Sequence, residues 1–266
     1  MTALDPHLAR ITRYPIKSLD GEVVATAELE SSSGAIVGDR SLAIVDEDEE
    51  YVNGKRTPDV HSICVEYLED ATELTIPGAG VLRSSDIAQS AEIETALSDY
   101  FGYPVRFDRQ DLGGHPDDTT ISGPTVISTG SLEEVASWFD NIDTDGMRRR
   151  FRANIEIGGV PAFWEDRLYA DYGQVVRFRI GDVHFNGVSP CARCVVPARD
   201  PDTGEETHNF QLTFVRGRKQ SKPPWLDSER FDHPYRLMVN TDLAKDSPGH
   251  VIAEDDPVEI IGDRPA

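Results

Sequence analysis

Cysteine, lysine and long apolar runs are all scarce in this 266-residue chain, and each scarcity removes a class of protein. Three cysteines are too few for a four-thiolate zinc or iron–sulfur site, and a secreted disulfide scaffold carries more, in even number. No window approaches the roughly 18 consecutive apolar residues a membrane span needs. The opening MTALDPHLARITRYP puts acid and arginine where a signal peptide has an unbroken apolar stretch. The expectation is a cytoplasmic protein with no membrane association. Lysine occurs only at 17, 55, 219, 222 and 245, so arginine supplies most of the 26 basic residues, set against 48 acidic ones. A net charge of −22 reads as the solvated acidic surface of a protein kept soluble in high salt, and it excludes nucleic acid as a general partner. Against that background any local cluster of positive charge is informative.

What is present is mostly short strands. ARITRYPIKSL alternates and then meets Pro15, RSLAIVDEDEEYVNGKR is a strand, an acidic turn and a strand, and TELTIPGAGVLRSS has the turn residues of a hairpin. SAEIETALSDYFG spaces Ile93, Ala96, Leu97 and Tyr100 as a helix, with Gly102 as its stop. Residues 108–122, rich in Asp, Gly and Thr, form a connecting segment between a first unit at 1–107 and a second at 123–266, or a long loop within one domain. The second unit opens with the strand PTVIS and a helix in SLEEVASWFDNI that Ser131 is placed to cap. From RLYADYGQVVRFRIGDVHFNGVSP onward the pattern is strand and turn, with Gly181–Asp182 as a tight hairpin. The fold class predicted is β-rich α+β: a small antiparallel β-barrel or sheet, then a second β-rich unit with a few short helices.

Four stretches can carry chemistry. In VSPCARCVVPARDPDTGE, Cys191 and Cys194 bracket Arg193, whose guanidinium favours thiolate, the form that binds metal. Zinc would need two further ligands, and His184 and His208 are not at finger spacing. A thioredoxin-type pair opens a helix, which CVVPARDP does not; two small buried residues would explain the spacing as well. Cys64, in a strand-like run, is expected in the core. In GMRRRFRANI, four arginines crowd together; if a strand begins at Phe151, Arg150 and Arg152 share a face, suited either to phosphate or to ion pairs with the abundant acids. Lys17 and Ser18 follow a proline-bent strand, and Arg40 follows a Gly-Asp turn with Asp39 available to pair with it.

Together, and in this order, these pieces resemble one family. YPIKSLDGEVV and GDRSLAIVD resemble the signature of the N-terminal β-barrel module that precedes a MOSC domain. FRANIEI resembles the F-R-x-N-I segment, and PCARCVVPARDPDTGE the cysteine motif with its D-P-x-T-G. The pattern is similar to the amidoxime-reducing branch and spans about residues 8 to 262. The resemblance implies a MOSC β-barrel in the second unit and a molybdenum–molybdopterin cofactor bonded through the thiolate of Cys194. It implies that Arg193 sits beside metal and pterin, that Lys17, Ser18 and Arg40 hold the phosphate end, and that Arg152 and Asn154 hold pterin or phosphate. Ser122 or Ser128 falls near a position where the family uses a hydroxyl; Cys191 receives no role. Pro197–Ala198 departs from the family's usual threonines, which touches substrate geometry rather than cofactor binding. The implied activity is a molybdenum-dependent oxidoreductase acting on small N-oxygenated substrates. Its electrons come from a separate donor protein, because the four clustered cysteines of a ferredoxin-like centre are missing. The rival implication is a carrier of the cofactor or its sulfur without turnover, although the pyridoxal-phosphate desulfurase domain that accompanies such a tail is not in this sequence.

Overall fold

The computed structural model describes residues 4–118, 120–226 and 229–265. The first half contributes β1 (His7–Arg13), β2 (Glu22–Val24), β3 (Thr26–Glu28), β4 (Leu42–Asp46), β5 (Cys64–Tyr67), β6 (Thr72–Ile76) and β7 (Gly80–Ser84). α1 (Ala91–Phe101) and β8 (Val105–Arg109) complete it. The second half begins with β9 (Val126–Ser128), α2 (Thr129–Ala136), α3 (Thr144–Phe151) and β10 (Ile155–Gly158). β11 (Gln174–Ile180), β12 (Val183–Ala192), α4 (Phe210–Gln220), β13 (Arg236–Leu243), β14 (Val251–Ala253) and β15 (Val258–Pro265) follow. The chain is β-rich α+β. Among the described residues no helix is long and apolar enough to cross a membrane.

Local chemistry accounts for most elements. Ser90 accepts the Ile93 N–H to start α1, Ile93 and Leu97 bury one face four residues apart, and Gly102 at φ 77 closes the helix in the left-handed region. In the β6–β7 hairpin both Gly78 (φ 85) and Gly80 (φ 83) take positive φ, which explains the PGAG turn.

An eight-stranded sheet runs β15-β11-β12-β13-β9-β10-β1-β2, antiparallel except for the β9–β10 pair. β1 and β2 therefore belong to a sheet built chiefly by the second half, on the far side of the 108–122 connection in sequence. The remainder of the first half pairs β4 with β8 and stacks the β5-β6-β7 meander beside α1, around a core containing Ile16, Leu19, Leu42, Ile44, Val60, Leu74 and Leu97. A second core holds Leu8, Ile11, Ile155, Phe178 and Phe185, and a third packs α2, α3 and α4 through Leu132, Met147, Phe151, Phe210 and Phe214. Each such side chain contributes about 1.5–3 kcal/mol when fully buried. Gly217 in α4 admits the Trp138 indole so closely that a Cβ there would meet the ring at 2.3 Å.

Several expectations are corrected. Cys64 is exposed, because on β5 the alternate residues Val65 and Tyr67 turn toward the core. α2 is capped by Ser128, one turn earlier than Ser131, whose hydroxyl is buried against Glu165 at 2.9 Å. α3 continues through Phe151 and ends on Arg152 at φ 57, so Arg150 and Arg152 are not strand neighbours. α4 lies where only strand and turn were expected; its NFQLTFVRGRKQ has a weak apolar stripe that packing, rather than periodicity, fixes.

Candidate functional site

The turn after β1, the segment after Gly38, the end of the 108–122 connection, the exit from α3 and the end of β12 meet around one cavity of about 470 Å³. Lys17, Ser18, Arg40, Ser122, Arg152, Asn154, Arg193 and Cys194 all line it. Ser128 does not; it caps α2 and its hydroxyl donates to Glu165 at 2.7 Å. Among the described residues, four of the eight non-glycine residues with positive φ, namely Ser18, Arg40, Arg152 and Met238, are on the cavity wall. Such strained backbone persists only where surrounding structure holds it, and it concentrates at functional sites.

The wall reverses the sign of the whole chain. Lys17, Arg40, Lys55, Arg150, Arg152, Arg193 and Arg236 face it, against the carboxylates of Asp39, Asp117 and Asp118. Lys17 Nζ donates to Asp117 Oδ1 at 2.7 Å and to the His115 carbonyl at 2.8 Å. Burial lowers the Lys17 pKa, and Asp117 pulls the other way. Burial likewise opposes the charge of Asp117, but Lys17 and Arg40 outweigh it and hold the carboxyl well below the usual range. Arg40 pairs with Asp39, as the Gly-Asp turn suggested, and Asp39 and Asp117 more than offset the cost of its burial. The guanidinium carbons of Arg152 and Arg40 lie 4.2 and 5.4 Å from the centroid of Tyr14, whose hydroxyl burial pushes up to about 12.

The arginine cluster divides. Arg148 pairs with Glu156 and Asp145, Arg149 with Asp20 and Asp202, and Arg150 with Asp200. Those three are ion pairs, with the exposed acids Asp145 and Asp202, the half-buried Asp20 and Asp200, and the buried Glu156. Arg152 has no carboxylate partner among the described residues, and its buried Nη2 has no hydrogen-bond partner at all; Arg193 Nε is in the same state. Buried N–H groups left unpaired beside a cavity fit an anionic ligand that supplies the missing acceptors.

The two cysteines also separate. Cys191 is buried, its Sγ donates to Asn240 Oδ1 at 2.8 Å, and burial, opposed by Arg193, pushes the thiol up to about 11. Cys194 is only half-buried on the cavity wall. Among the described residues no group of three or more His, Cys, Asp or Glu side chains is arranged to hold a bare metal ion. A single thiolate suits a soft metal that brings its other ligands with it, and the cationic wall suits an anionic tail on that ligand.

Asn154 is placed differently from the expectation. Its Nδ2 donates to the Thr12 carbonyl and to Asp39 Oδ1, and its Oδ1 accepts from the Thr125 N–H and Oγ1. All four positions are filled, so it braces the wall. Sequence reasoning missed Tyr14, Asp117, Asn240 and Met238. Tyr14 sits inside the YPIKS stretch already singled out; the others carried no spacing signal.

Comparison with known proteins finds two family domains that overlap at residues 124–142. The family description "MOSC N-terminal beta barrel domain" matches residues 6–142, and "MOSC domain" matches residues 124–239. Mitochondrial amidoxime-reducing component 1 of Homo sapiens is 28% identical over 137 residues, which is 52% of this chain and 36% of that protein. Molybdenum cofactor sulfurase of Caenorhabditis briggsae is 31% identical over 97 residues, 36% of this chain and 13% of that protein. The matched stretch thus spans about a third of the human relative and less of the sulfurase. The YUAD protein of Bacillus subtilis superposes over 97% of this chain and 98% of its own with a TM-score of 0.39 and 12% identity, too loosely for residue correspondence.

Proposed function

The chain belongs to the MOSC family, and on that premise we propose that its cavity binds a molybdenum–molybdopterin cofactor and reduces small N-oxygenated substrates. The observation that carries this reading is the convergence of eight residues from five separate segments on one cation-lined cavity, with unpaired buried donors on Arg152 and Arg193. The amidoxime-reducing name of the human relative supports the choice of substrate class.

Cys194 supplies the thiolate that ligates the metal, and Arg193 stands beside it. Lys17, Ser18 and Arg40 would hold the phosphate end, where Asp117, now bonded to Lys17, would compete with phosphate for the ammonium. Arg152 would hold pterin or phosphate, its guanidinium kept in place by the Tyr14 ring that Arg40 also faces. Asn154 acts through Asp39, which orients Arg40. Ser122 offers a hydroxyl on the cavity wall. Cys191 stays protonated and takes no part. Bound there, the cofactor supplies two-electron reduction of an N–O bond, and the protein supplies orientation and charge. The three cysteines of this sequence cannot hold a four-cysteine cluster, so the electron donor lies outside these 266 residues.

Protein produced with the cofactor available is expected to contain molybdenum and pterin at about one per chain and to reduce an amidoxime with a chemical reductant. Retention of metal and activity by Cys194→Ala would overturn the reading. The match to a cofactor sulfurase favours one alternative, a carrier, and a loaded protein inert to amidoxime, N-hydroxypurine and sulfoxide would establish it.

A further inference from the structure

Met238 is the strained cavity residue that no sequence signal selects. It stands where the β12–β13 ladder slips: Pro190 pairs with Val239 and Ala192 with Arg236, so β13 carries one extra residue. The bulge sets Met238 at φ 77, a conformation that glycine adopts freely and a Cβ resists. A side chain retained there needs a compensating contact. Met238 is 2% exposed, and its Sδ accepts from Arg193 Nη1 at 3.4 Å. The rest of that guanidinium is held by the Phe151 carbonyl, 3.2 Å from Nη2, and by the Phe151 ring at 5.5 Å.

Every one of these partners is neutral. In a chain with 48 acidic residues, most of the arginines that bridge to other side chains do so to carboxylates, as Arg148, Arg177, Arg179 and Arg218 do. A thioether is a weak acceptor that directs an N–H without cancelling the charge behind it. A carboxylate at the same place would bond more strongly and neutralise the group.

We propose that Met238 is a positioning residue: its thioether, carried into the cavity wall by the bulge, fixes Arg193 next to Cys194 with its charge left available to an anionic group in the cavity. This deepens the functional reading above and rests on it for the identity of the anion, while the fixed guanidinium stands on the geometry alone.

The test uses the cofactor-free full chain. The Arg193 Nε–H resonance, assigned by its loss in Arg193→Lys, reports order through its heteronuclear NOE, and molybdate is titrated by calorimetry and by the same resonance. Met238→Leu keeps the bulk and removes the acceptor; Arg193 becomes mobile and molybdate affinity falls about 3–10-fold. Met238→Gln restores a neutral acceptor and with it order and affinity. Met238→Glu keeps Arg193 ordered but lowers affinity about tenfold or more, since the charge is now cancelled. Met238→Gly melts about 2–4 °C above Met238→Ala, reversing the usual order of those residues, because only glycine suits the bulge. An unchanged Arg193 resonance in Met238→Leu, or wild-type affinity in Met238→Glu, overturns the proposal. Failure of the wild-type chain to bind molybdate removes its anion clause, whereas molybdate binding without cofactor loading sinks only the functional reading.

Discussion

Asn154, at the exit from α3, donates through Nδ2 to Oδ1 of Asp39 at 3.1 Å, joining residues 115 positions apart across the cavity wall. The same carboxylate oxygen accepts the Tyr14 N–H at 2.8 Å, and the other oxygen pairs with Arg40. One amide thus fixes an acid, a strand end and a cation at once. Asn154→Ala leaves Asp39, the Thr12 carbonyl and the Thr125 donors short of partners, and is expected to cost about 1–3 kcal/mol in urea unfolding. Asn154→Asp sets two carboxylates face to face and is expected to cost more, with weaker anion binding in both variants.

The cysteine pair is expected to behave asymmetrically. Cys194→Ser loses molybdenum and N-reductase activity. Cys191→Ser keeps both and shows only a small loss of stability, because its thiol is protonated and bonded to Asn240. Metal analysis of the two purified variants decides, and equal loss in both would point to a thiol redox pair instead.

Removing a cradle cation should weaken binding of the anionic end. Charge-assisted bonds contribute about 1.5–3 kcal/mol each, so Lys17→Met or Arg152→Met is expected to lower pterin or molybdate affinity by about 10–150-fold. Asp117→Asn works in the opposite direction, because it removes the carboxylate that occupies Lys17. Calorimetry on the cofactor-free chain measures all three.

Away from the cavity, Glu165 is fully buried and accepts from Ser128 and Ser131. Burial, reinforced by Asp166, pushes its carboxyl up to about 7 from 4.5. A folded pKa above the unfolded one means that stability is fully present below about pH 4.5 and declines as pH rises through about 7. Glu165→Gln is expected to flatten that decline, seen as a melting temperature that no longer drops between those values.

Gly123 lies so close to β13 that a Cβ would meet the Thr241 carbonyl at 2.1 Å. Gly123→Ala is expected to cost about 1–3 kcal/mol and to loosen the wall that carries Ser122. Chemical denaturation together with molybdate titration checks both effects.

Much of this was legible in the residues themselves. The PGAG turn, the Gly102 stop of α1 and the strand–turn pattern around Gly181–Asp182 are short-range chemistry, readable because the residues that decide them are neighbours in the chain. Lys17, Arg40, Arg152 and Arg193 stood out because positive charge is rare here and each lay in a recognisable stretch, whereas Lys55 and Arg236, which also face the cavity, did not. α4 was not legible, since its helix depends on contacts with Trp138 and Phe139. The choice of Arg152 over Arg150 was open on spacing alone and came from the F-R-x-N-I resemblance; the structure adds the helix end at Phe151 and the Asp200 partner of Arg150.

The amino-acid order by itself determined a β-rich chain, an acidic exterior and a handful of cations and cysteines apt for an anion and a soft metal. Tertiary structure alone decided which of them share a space, that Asn154 is spent on bracing, that Cys191 is buried with its thiol on Asn240 while Cys194 is half-buried, and that a methionine occupies a bend suited to glycine. The physical reason is range: capping, turns and charge act over a few residues, whereas the cavity is made by side chains as far apart in sequence as Lys17 and Asn240 that only packing brings together.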